Sequence, residues 1–516
     1  MAEQYLYEPV RTSASKLNVW CAFPAVRNFG MSALGYLSVF KSINTIEDIF
    51  SERVFTDTER TYINSKDVDV LSFSFSFELD YLGILKILEK YNIPFLAKDR
   101  AENAPLIYGG GPVLTTNPEP FAEIFDFIMI GDAEPHIKEV FEILRDNREK
   151  PKFEKLKLIS AIEGIYVPAF KTDSYEVKKA TSDNKACTYT PILTEESFFS
   201  NTFIIEVERG CPKNCAFCLT SYINNPVRFF DYEDIIEKIE LGLKYTNKIA
   251  LLGALICAHP RIDDICDYII KKVDSGMNIE VSVSSLRADY VSDKTLEMLH
   301  KCGQRTATIA VEAGSDRLRK VINKQLTNEE ILSVTEKLYK HGFSGVKMYG
   351  ILGLPTETYE DLDSFVDLCK QIKRKYKGFV VTPAFSTFVP KAQTPFQCAK
   401  KEDTKSLEKK NEYIKKEFAK IGIKARTSSI KWDYVQALLS RGDRSLTPYL
   451  VEVYKQGGNI GAFKSVYKEF NKQGLLKLSD DFALNELKEE VTPWNFIKYD
   501  NNKIPLNVEY KRLLGK

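Results

Sequence analysis

The sequence predicts an α/β protein in which a Rossmann-like, doubly wound parallel sheet is followed by a partial (β/α)6 TIM-type barrel and a helical C-terminal region. Three observations support this prediction. The chain of 516 residues is longer than one hydrophobic core supports, since such cores stop growing at roughly 250–300 residues. Two long stretches alternate strand-like and helix-like apolar patterns, which is typical of parallel sheets. From about residue 401 the chain becomes rich in lysine and follows a helical period.

The composition excludes several classes of protein. Apolar residues make up 44% of the chain and charged residues 28%, so disordered and fibrous classes are excluded. Lys and Arg number 72 and Asp and Glu 71, so the net charge does not favour nucleic acid or an anionic membrane. The N-terminus lacks the pattern of a secretory signal, and no apolar run reaches the ~18–20 residues of a membrane span. We therefore expect a cytoplasmic protein with no membrane association and no indicated nucleic-acid partner.

The range 1–150 is predicted to form the Rossmann-like domain. Strand-like segments occur at LNVWCAFPAV, VDVLSFSFSF, APLIYGGGP and DFIMIGD, separated by the helical segments MSALGYLSVFKSIN and YLGILKILEKYN and a short helix around FAEIF. Gly109, Gly110 and Gly111 end a buried strand, where missing side chains would let a ligand approach the carboxyl edge of the sheet. A tight turn explains these glycines equally well.

The range 151–200 is predicted to be an irregular linker or a small antiparallel extension without a site. The range 201–400 is predicted to form the partial barrel from six β/α units, the first beginning at FIIEVERGC and the last ending at FVVTPAFSTFVP. The reactive face of such a barrel lies at the carboxyl ends of its strands. The range 401–516 is predicted to be mainly helical, with its charge runs on solvated helix faces.

Three of the ten cysteines cluster: Cys211, Cys215 and Cys218 form a CxxxCxxC pattern after a predicted strand. Three thiolates on one loop can bind three irons of a cubane cluster, whereas a structural zinc site needs four ligands, and no second cysteine pair or nearby histidine completes such a set. The fourth iron would then be open to an external ligand. Structural zinc and three unrelated buried thiols are the alternatives.

This motif, with an aromatic residue, Phe217, before its last cysteine, resembles that of the radical S-adenosylmethionine (radical SAM) enzymes. The resemblance implies a [4Fe-4S] cluster on the three cysteines and S-adenosylmethionine on the open iron. In this family the reduced cluster cleaves the sulfonium bond to give a 5'-deoxyadenosyl radical. It also implies a reductant partner such as flavodoxin or ferredoxin.

The resemblance continues along the strand ends of the predicted barrel. It implies a methionine amino-group site after the second strand, ribose and carboxylate contacts after the third, and further cofactor contacts after the fourth, fifth and sixth. The residues concerned are Gly253 and Ala254, Ser284 and Arg287, Glu312 and Ser315, Ile351 and Leu352 directly before the GLPTET turn, and Val389. The structural alternatives are a lysine pair for Glu312 and a salt bridge for Arg287.

The N-terminal region resembles the cobalamin (B12)-binding domain of class B radical SAM enzymes, and the whole chain resembles a subgroup that carries an SRGDR segment, here 440–444. This implies cobalamin near Gly109, Gly110 and Gly111. No histidine precedes His136, so the usual D-x-H-x-x-G ligand motif is missing. We expect that any bound cobalamin lacks histidine ligation, or that the domain has lost the cofactor.

The leading functional hypothesis is a cobalamin-dependent methyltransferase that acts on an unactivated carbon of an unknown substrate. The alternatives are a cobalamin-free radical SAM enzyme catalysing a rearrangement, an oxidation or an RNA modification, and a non-catalytic iron–sulfur redox sensor or electron carrier. His259, after the second barrel strand, is a candidate proton carrier with a structural role as its alternative. The sequence has no hydrolase or kinase motif.

Overall fold

The first region of the chain is built on a sheet of six strands. The computed structural model describes residues 3–9, 16–183, 185–476, 483–488, 492–499 and 505–515. The parts of the predicted ranges 1–150, 151–200 and 401–516 that fall between or beyond these segments lie outside the described residues. The elements are β1 (Gln4–Tyr5), β2 (Leu17–Ala22), α1 (Arg27–Gly30), α2 (Leu34–Asn44), β3 (Ile49–Val54), β4 (Val70–Ser74), α3 (Tyr81–Lys90), β5 (Leu106–Gly110), α4 (Pro112–Thr116), β6 (Phe127–Met129), α5 (Ile137–Asp146), α6 (Lys152–Ile159) and β7 (Ile165–Tyr166). The strand order is β3, β2, β4, β5, β6, β7, and all pairs are parallel except β6 with β7.

Two strands of this sheet are absent from the sequence prediction. β3 lies at the edge beside β2, and its buried positions Ile49, Ser51 and Val54 do not alternate cleanly with polar ones. β7 has only two residues and lies beyond the predicted boundary at residue 150. β7 has too few residues to show a hydrophobic period and β3 lacks a clean one, so pairing with neighbouring strands decides both. The prediction of an α/β protein with a parallel sheet is confirmed.

The second region contributes six parallel strands in chain order. After the short strands β8 (Val177–Lys178) and β9 (Ile192–Leu193), its elements are β10 (Thr202–Glu206), β11 (Glu208–Arg209), α7 (Thr220–Ile223), β12 (Arg228–Phe229), α8 (Tyr232–Leu243), β13 (Lys248–Leu252), α9 (Ile262–Asp274), β14 (Glu280–Val283), α10 (Asp293–Lys301), β15 (Thr306–Glu312), α11 (Asp316–Val321), α12 (Asn328–Lys340), β16 (Gly345–Leu352), α13 (Tyr359–Lys375) and β17 (Val380–Thr387). β10, β13 and β14 form one parallel sheet, and β15, β16 and β17 belong to another. An isolated bridge between Leu286 and Ile309 joins the two sheets.

Each of these strands has one face on the core and one open face. On β16, Val346, Met348 and Leu352 belong to the main hydrophobic core with the surrounding helices. Lys347 and Tyr349 alternate with them and are more exposed. This period of two follows from strand geometry. It leaves the open face and the carboxyl ends of the strands for chemistry.

The described part of the C-terminal region is built mainly from helices. Its elements are α14 (Thr404–Lys420), β18 (Arg426–Thr427), α15 (Ile430–Arg441), α16 (Leu446–Lys455), α17 (Ile460–Lys472), β19 (Ile497–Lys498) and α18 (Leu506–Leu514). Helices α15, α16 and α17 share a hydrophobic core with the first sheet through Leu438, Leu450 and Phe463. The opposite face of that sheet packs on α2 and α5. Within the described part of the chain, no helix is both long enough and apolar enough to cross a membrane.

The SRGDR segment connects the C-terminal helices to the first region. The side-chain amide of Asn117 donates to the carbonyl oxygens of Ser440 and Gly442 at 3.3 and 2.9 Å. Arg444, which is partly exposed, donates to Oε1 of the buried Glu119 at 3.2 Å. The contacts of this segment are therefore structural.

Candidate cluster and cofactor site

The three clustered cysteines occupy the loop between β11 and α7. Cys215 is 6% exposed, and Cys211 and Cys218 are half-buried. Gly210 precedes the loop with a φ of +90°, and a Cβ there would lie 2.6 Å from the Asn224 carbonyl oxygen. Only glycine can adopt this backbone without a clash, so Gly210 determines the direction in which the chain reaches Cys211.

The arrangement of the cysteines indicates whether the loop fits an iron–sulfur cluster or a single metal ion. Among the described residues, no group of three or more histidine, cysteine, aspartate or glutamate side chains converges on one metal-ion position. A closed structural zinc site needs four converging ligands. A cubane cluster has a different requirement, because each cysteine binds a different iron. Three thiols on one loop fit the cluster better.

Burial and two cations act in opposite directions on the Cys215 thiol. Burial raises the pKa of Cys215 to about 11, while the neighbouring Lys324 and Arg287 side chains act to lower it. Arg287 is buried, and its Nη1 lies 4.0 Å from Cys215 Sγ. The thiolate is the form that binds metal. The two cations therefore favour the ligand form of this thiol.

Arg287 also holds three segments together. Its Nε donates to Asp289 Oδ1 at 2.7 Å, and its Nη2 donates to the carbonyl oxygens of Gln325, at 3.1 Å, and Lys324. Lys213, inside the cysteine loop, forms an ion pair with the same Asp289 at 3.6 Å. The salt bridge considered as the structural alternative is present, and Nη1 lies beside the thiol.

Glu312 lies at an irregular end of β15. Its φ is +67°, and the register between β15 and β16 shifts between Ala310 and Glu312. Its carboxylate is 3.3 Å from Lys324 Nζ, which is the lysine pair of the structural alternative. Positive φ is uncommon for a residue other than glycine, and such strain is concentrated at functional sites.

Two predicted serines already have hydrogen-bond partners. Ser284 Oγ donates to the Gly253 carbonyl oxygen at 2.9 Å, which connects the segments after β13 and β14. Ser315 is the N-cap of α11: its Oγ accepts from the Leu318 N–H at 3.1 Å and donates to Asp361. The Ser315 hydroxyl is thus engaged in holding the start of this helix.

The apolar residues predicted to contact the cofactor lie in different surroundings. Phe217 and Ile351 pack in one apolar cluster with Ala216, which belongs to the cysteine loop. Leu352 is buried in the main core, and Val389 packs against the core that the first sheet shares with the C-terminal helices. The side chains of Phe217 and Ile351 are therefore brought together beside the loop, whereas those of Leu352 and Val389 are not.

Glu208 is a functional candidate that no sequence pattern marks. It is 1% exposed, its Oε1 accepts a hydrogen bond from the Leu255 backbone N–H, and its Oε2 has no partner among the described residues. A Cβ at Gly253 would lie 2.5 Å from Glu208 Cγ, so this side chain packs on the turn that contains Gly253 and Ala254. Burial raises the pKa of Glu208 to about 7. Its position three residues before Cys211 is the only signal in the sequence.

His259 has no free ring nitrogen. It is 3% exposed, its Nε2 lies 2.9 Å from the Phe230 carbonyl oxygen, and its Nδ1 accepts from the Arg261 N–H at 3.1 Å. Burial lowers the pKa of His259. Since Nδ1 accepts, the proton of the neutral ring is on Nε2, where it is donated to the carbonyl oxygen. These contacts favour the structural alternative.

A cleft of about 320 Å³ lies between the first sheet and the second region. One wall contains the carboxyl ends of β4, β5 and β6, and the other contains parts of β10, β11 and β13. Residues from the two walls include Ser74, Gly110, Gly111 and Gly131, and Glu206, Arg209 and Leu252. Among the described residues that line the cleft there is no histidine.

The three glycines of the first sheet have different surroundings. A Cβ on Gly110 would lie 3.0 Å from the Tyr108 hydroxyl, whereas a Cβ on Gly109 would clash with Leu114 and Phe125 in the core. Gly111 has a φ of +115°, which side chains rarely adopt. Gly110 and Gly111 therefore line the cleft, and Gly109 faces the core instead.

A network of charged side chains crosses this cleft beside the cysteine loop. Arg209 forms ion pairs with Glu206 at 2.7 Å, Glu134 at 2.8 Å and Asp132 at 3.4 Å. Arg228 pairs with Asp132 at 2.5 Å. Although burial acts to raise it, the two arginines hold the pKa of Asp132 below its usual value. Since Arg209 lies two residues before the first clustered cysteine, the network connects the first sheet to the loop.

The last helix, α18, packs against the cysteine loop. Tyr510 and Leu513 belong to the same apolar cluster as Ala216 and Phe217 of the loop. The rings of Tyr510 and Phe396 meet edge to face with centroids 6.1 Å apart. The end of the chain therefore covers apolar surface of the loop.

Two protein-family models match this chain. Residues 205–369 match the model of the radical SAM superfamily, and residues 35–168 match the model of the N-terminal region of radical SAM proteins. The first match contains the cysteine loop and the strand ends up to β16, and the second contains most of the first sheet. Together they cover more than half of the chain, which belongs to the radical SAM superfamily. Membership implies an enzyme with a [4Fe-4S] cluster and S-adenosylmethionine.

Individual proteins are similar over most of the chain. The uncharacterized protein MJ0966 of Methanocaldococcus jannaschii is 29% identical over 437 residues, which are 84% of this chain and 90% of that protein. The cobalamin-dependent S-adenosylmethionine radical enzyme OxsB, with aqua-cobalamin and S-adenosylmethionine bound, aligns with a TM-score of 0.54 over 89% of this chain and 71% of its own, at 15% identity. The methyltransferase TsrM from Kitasatospora setae, with cobalamin and a [4Fe-4S] cluster bound, aligns with a TM-score of 0.52 over 76% of each chain, at 11% identity. At these identities the two structures establish a shared fold.

Proposed function

We propose that this radical SAM enzyme is a cobalamin-dependent methyltransferase of the class B type that methylates an unactivated carbon. The observation that carries the proposal is the cleft between the carboxyl edge of the first sheet and the segment that leads into the cysteine loop. Ligands bind at this edge in open α/β sheets. A cofactor there and a cofactor on the cluster would act on one substrate between them. The shared fold with OxsB and TsrM supports this reading.

In this proposal the ranges 1–150, 151–200, 201–400 and 401–516 are the Rossmann-like domain, the linker, the partial barrel and the helical domain. Cys211, Cys215 and Cys218 would hold the cluster. With these groups bound, S-adenosylmethionine on the reduced cluster would supply a 5'-deoxyadenosyl radical, and cobalamin would supply the methyl group. The cofactor-binding residues predicted after the strands remain proposals.

The side chains of the protein position and shield these groups. Arg287 and Lys324 place positive charge beside Cys215, which favours its thiolate. The Arg209 network keeps the two walls of the cleft in a fixed relation. Tyr510 packs on the loop and would limit the access of water and oxygen to a cluster there.

Cobalamin would lie in the cleft along Gly110 and Gly111, at the carboxyl edge of the first sheet. Because no histidine lines the cleft within the described residues, we propose cobalt without histidine ligation. Radical SAM chemistry also requires a reductant, for which flavodoxin or ferredoxin is the proposed partner.

The test is anaerobic reconstitution followed by three measurements: iron and sulfide content, 5'-deoxyadenosine formation with dithionite, and the spectral change on titration with hydroxocobalamin. We expect a [4Fe-4S] cluster, cleavage of S-adenosylmethionine and stoichiometric corrinoid binding. Replacing Cys211, Cys215 and Cys218 by alanine should remove the cluster, whereas Cys369→Ala, at a buried cysteine outside the loop, should keep it. Full iron content in the triple variant would refute the cluster assignment. Cleavage without corrinoid binding would favour the cobalamin-free alternative.

A further inference from the structure

A second cavity, of about 420 Å³, lies between helices α14, α15, α16 and α17 of the C-terminal region. Its inner surface is formed by Leu438, Ile460, Phe463 and the rings of Tyr434, Tyr449 and Tyr467. This pocket has no lining residue in common with the cleft between the first sheet and the second region, as far as the described residues show. It is therefore separate from the site of the proposed reaction.

The inner part of the pocket offers apolar contacts. Leu438 and Phe463 are buried, and the hydroxyl of the buried Tyr449 donates to the Phe463 carbonyl oxygen at 2.7 Å. The rings of Tyr449 and Phe463 meet edge to face with centroids 6.1 Å apart. Among the described lining residues, no buried polar side-chain atom lacks a hydrogen-bond partner. The inner part therefore suits the apolar body of a ligand, and aromatic walls favour an aromatic ring.

The rim of the pocket carries an excess of positive charge. Three exposed lysines, Lys405, Lys431 and Lys464, come from three different helices and are called the rim lysines below. Glu408 is the one acidic residue among the described residues of the lining. None of the rim lysines forms an ion pair with another described residue, whereas Lys410 on the same helix α14 pairs with two glutamates at 2.7 and 2.9 Å. The rim therefore lacks the negative charge that would balance it.

We propose that this pocket binds a small aromatic carboxylate. The ring lies among the three tyrosines and Phe463, and the carboxylate lies at the rim lysines. The volume is within the roughly 300–1,000 Å³ of pockets for small molecules, which are mostly apolar and contain a few polar groups that fix the orientation. Lysine side chains lay their hydrocarbon stems along apolar surface and keep the ammonium group in water, so the rim lysines can reach a carboxylate at the pocket mouth. The positive rim selects an anion over a neutral molecule of the same shape.

The experiment measures the dissociation constants of three probes for the full-length reconstituted protein by isothermal titration calorimetry. Naphthoate has the ring and the charge, naphthamide has the ring without the charge, and decalin carboxylate has the charge on a saturated ring system. Naphthoate should bind about tenfold more tightly than naphthamide, because an exposed ion pair contributes up to about fivefold and three lysines share one carboxylate. Naphthoate should also bind more tightly than decalin carboxylate. Added salt should reduce the difference between naphthoate and naphthamide, since it screens exposed charges.

Two kinds of variant locate the site. Replacing the three rim lysines by glutamine should remove most of the preference for naphthoate over naphthamide. A matched control with the same loss of charge, Lys409→Gln, Lys415→Gln and Lys472→Gln, changes exposed lysines outside the described lining and should keep the wild-type preference. Ile460→Trp, at a half-buried position of the pocket, should weaken naphthoate and naphthamide alike by several-fold, because the larger side chain fills the space of the ring.

Four results would overturn the proposal. No binding of naphthoate at about 1 mM, the weakest affinity expected for a ligand of this size, would show that the pocket takes no aromatic carboxylate. Equal affinities for naphthoate and naphthamide would remove the role of the charge. An unchanged preference in the rim-lysine variant would place the binding elsewhere. A wild type that self-associates and dissociates when naphthoate is added, measured by analytical ultracentrifugation, would assign the pocket to an interface between copies of this chain.

Discussion

The protonation of Glu208 predicts an unusual effect on stability: Glu208→Gln should stabilise the cluster-free protein at neutral and alkaline pH. Burial raises the pKa of this carboxyl from 4.5 to about 7. Between these values the folded chain holds a proton that the unfolded chain releases. The contribution of this carboxyl to the free energy of unfolding is therefore fully present below pH 4.5 and is lost as the pH rises to about 7. At 1.36 kcal/mol for each pH unit, the loss is about 3 kcal/mol.

Glutamine is neutral at every pH, so the variant avoids this loss. The assay is the thermal midpoint of the cluster-free protein, without S-adenosylmethionine, at pH 5 and pH 8. The midpoints of Glu208→Gln and wild type should be closest at pH 5, and the variant should gain by roughly 3–7 °C at pH 8. Glu206→Gln is the matched control and should show no such gain, because its carboxylate is paired with Arg209. A gap between Glu208→Gln and wild type that does not change with pH would refute the reasoning.

Three further predictions concern the cleft, the last helix and the histidine. Gly110→Trp should abolish the spectral change with hydroxocobalamin and leave the cluster in place, because its side chain would fill the cleft; a normal titration would contradict this. Tyr510→Ala should speed the bleaching of the reconstituted cluster in air several-fold, whereas Val508→Ala, at a position that is 51% exposed on the same helix, should not; equal bleaching rates would show that the helix does not shield the loop. His259→Asn should lower the free energy of unfolding by about 1–3 kcal/mol, through its lost hydrogen bonds, without moving the pH profile of 5'-deoxyadenosine formation. A displaced profile would restore His259 as a proton carrier.

Much of the site is local in the sequence and could be predicted from it. The spacing of Cys211, Cys215 and Cys218 places three thiols on one loop whatever surrounds it. The period of the strands predicts that the segments containing Arg287 and Glu312 follow strand ends. The partner that those side chains share comes from another segment of the sequence. Lys324, after α11, accepts a hydrogen bond from Arg287 at its carbonyl oxygen and pairs with Glu312 through its ammonium group. That arrangement depends on how the helix and the strands pack.

The sequence by itself determined the α/β class with parallel strands and the cysteine motif, because hydrophobic period and residue spacing act over short stretches of chain. Only the tertiary structure decided that α15, α16 and α17 cover the first sheet, that Gly109 faces the core, and that Glu208 is buried without a cation. These features arise from contacts between segments far apart in the chain. Burial, and with it the cost of an unpaired charge, is set by what packs around a residue and is not encoded in its immediate neighbours.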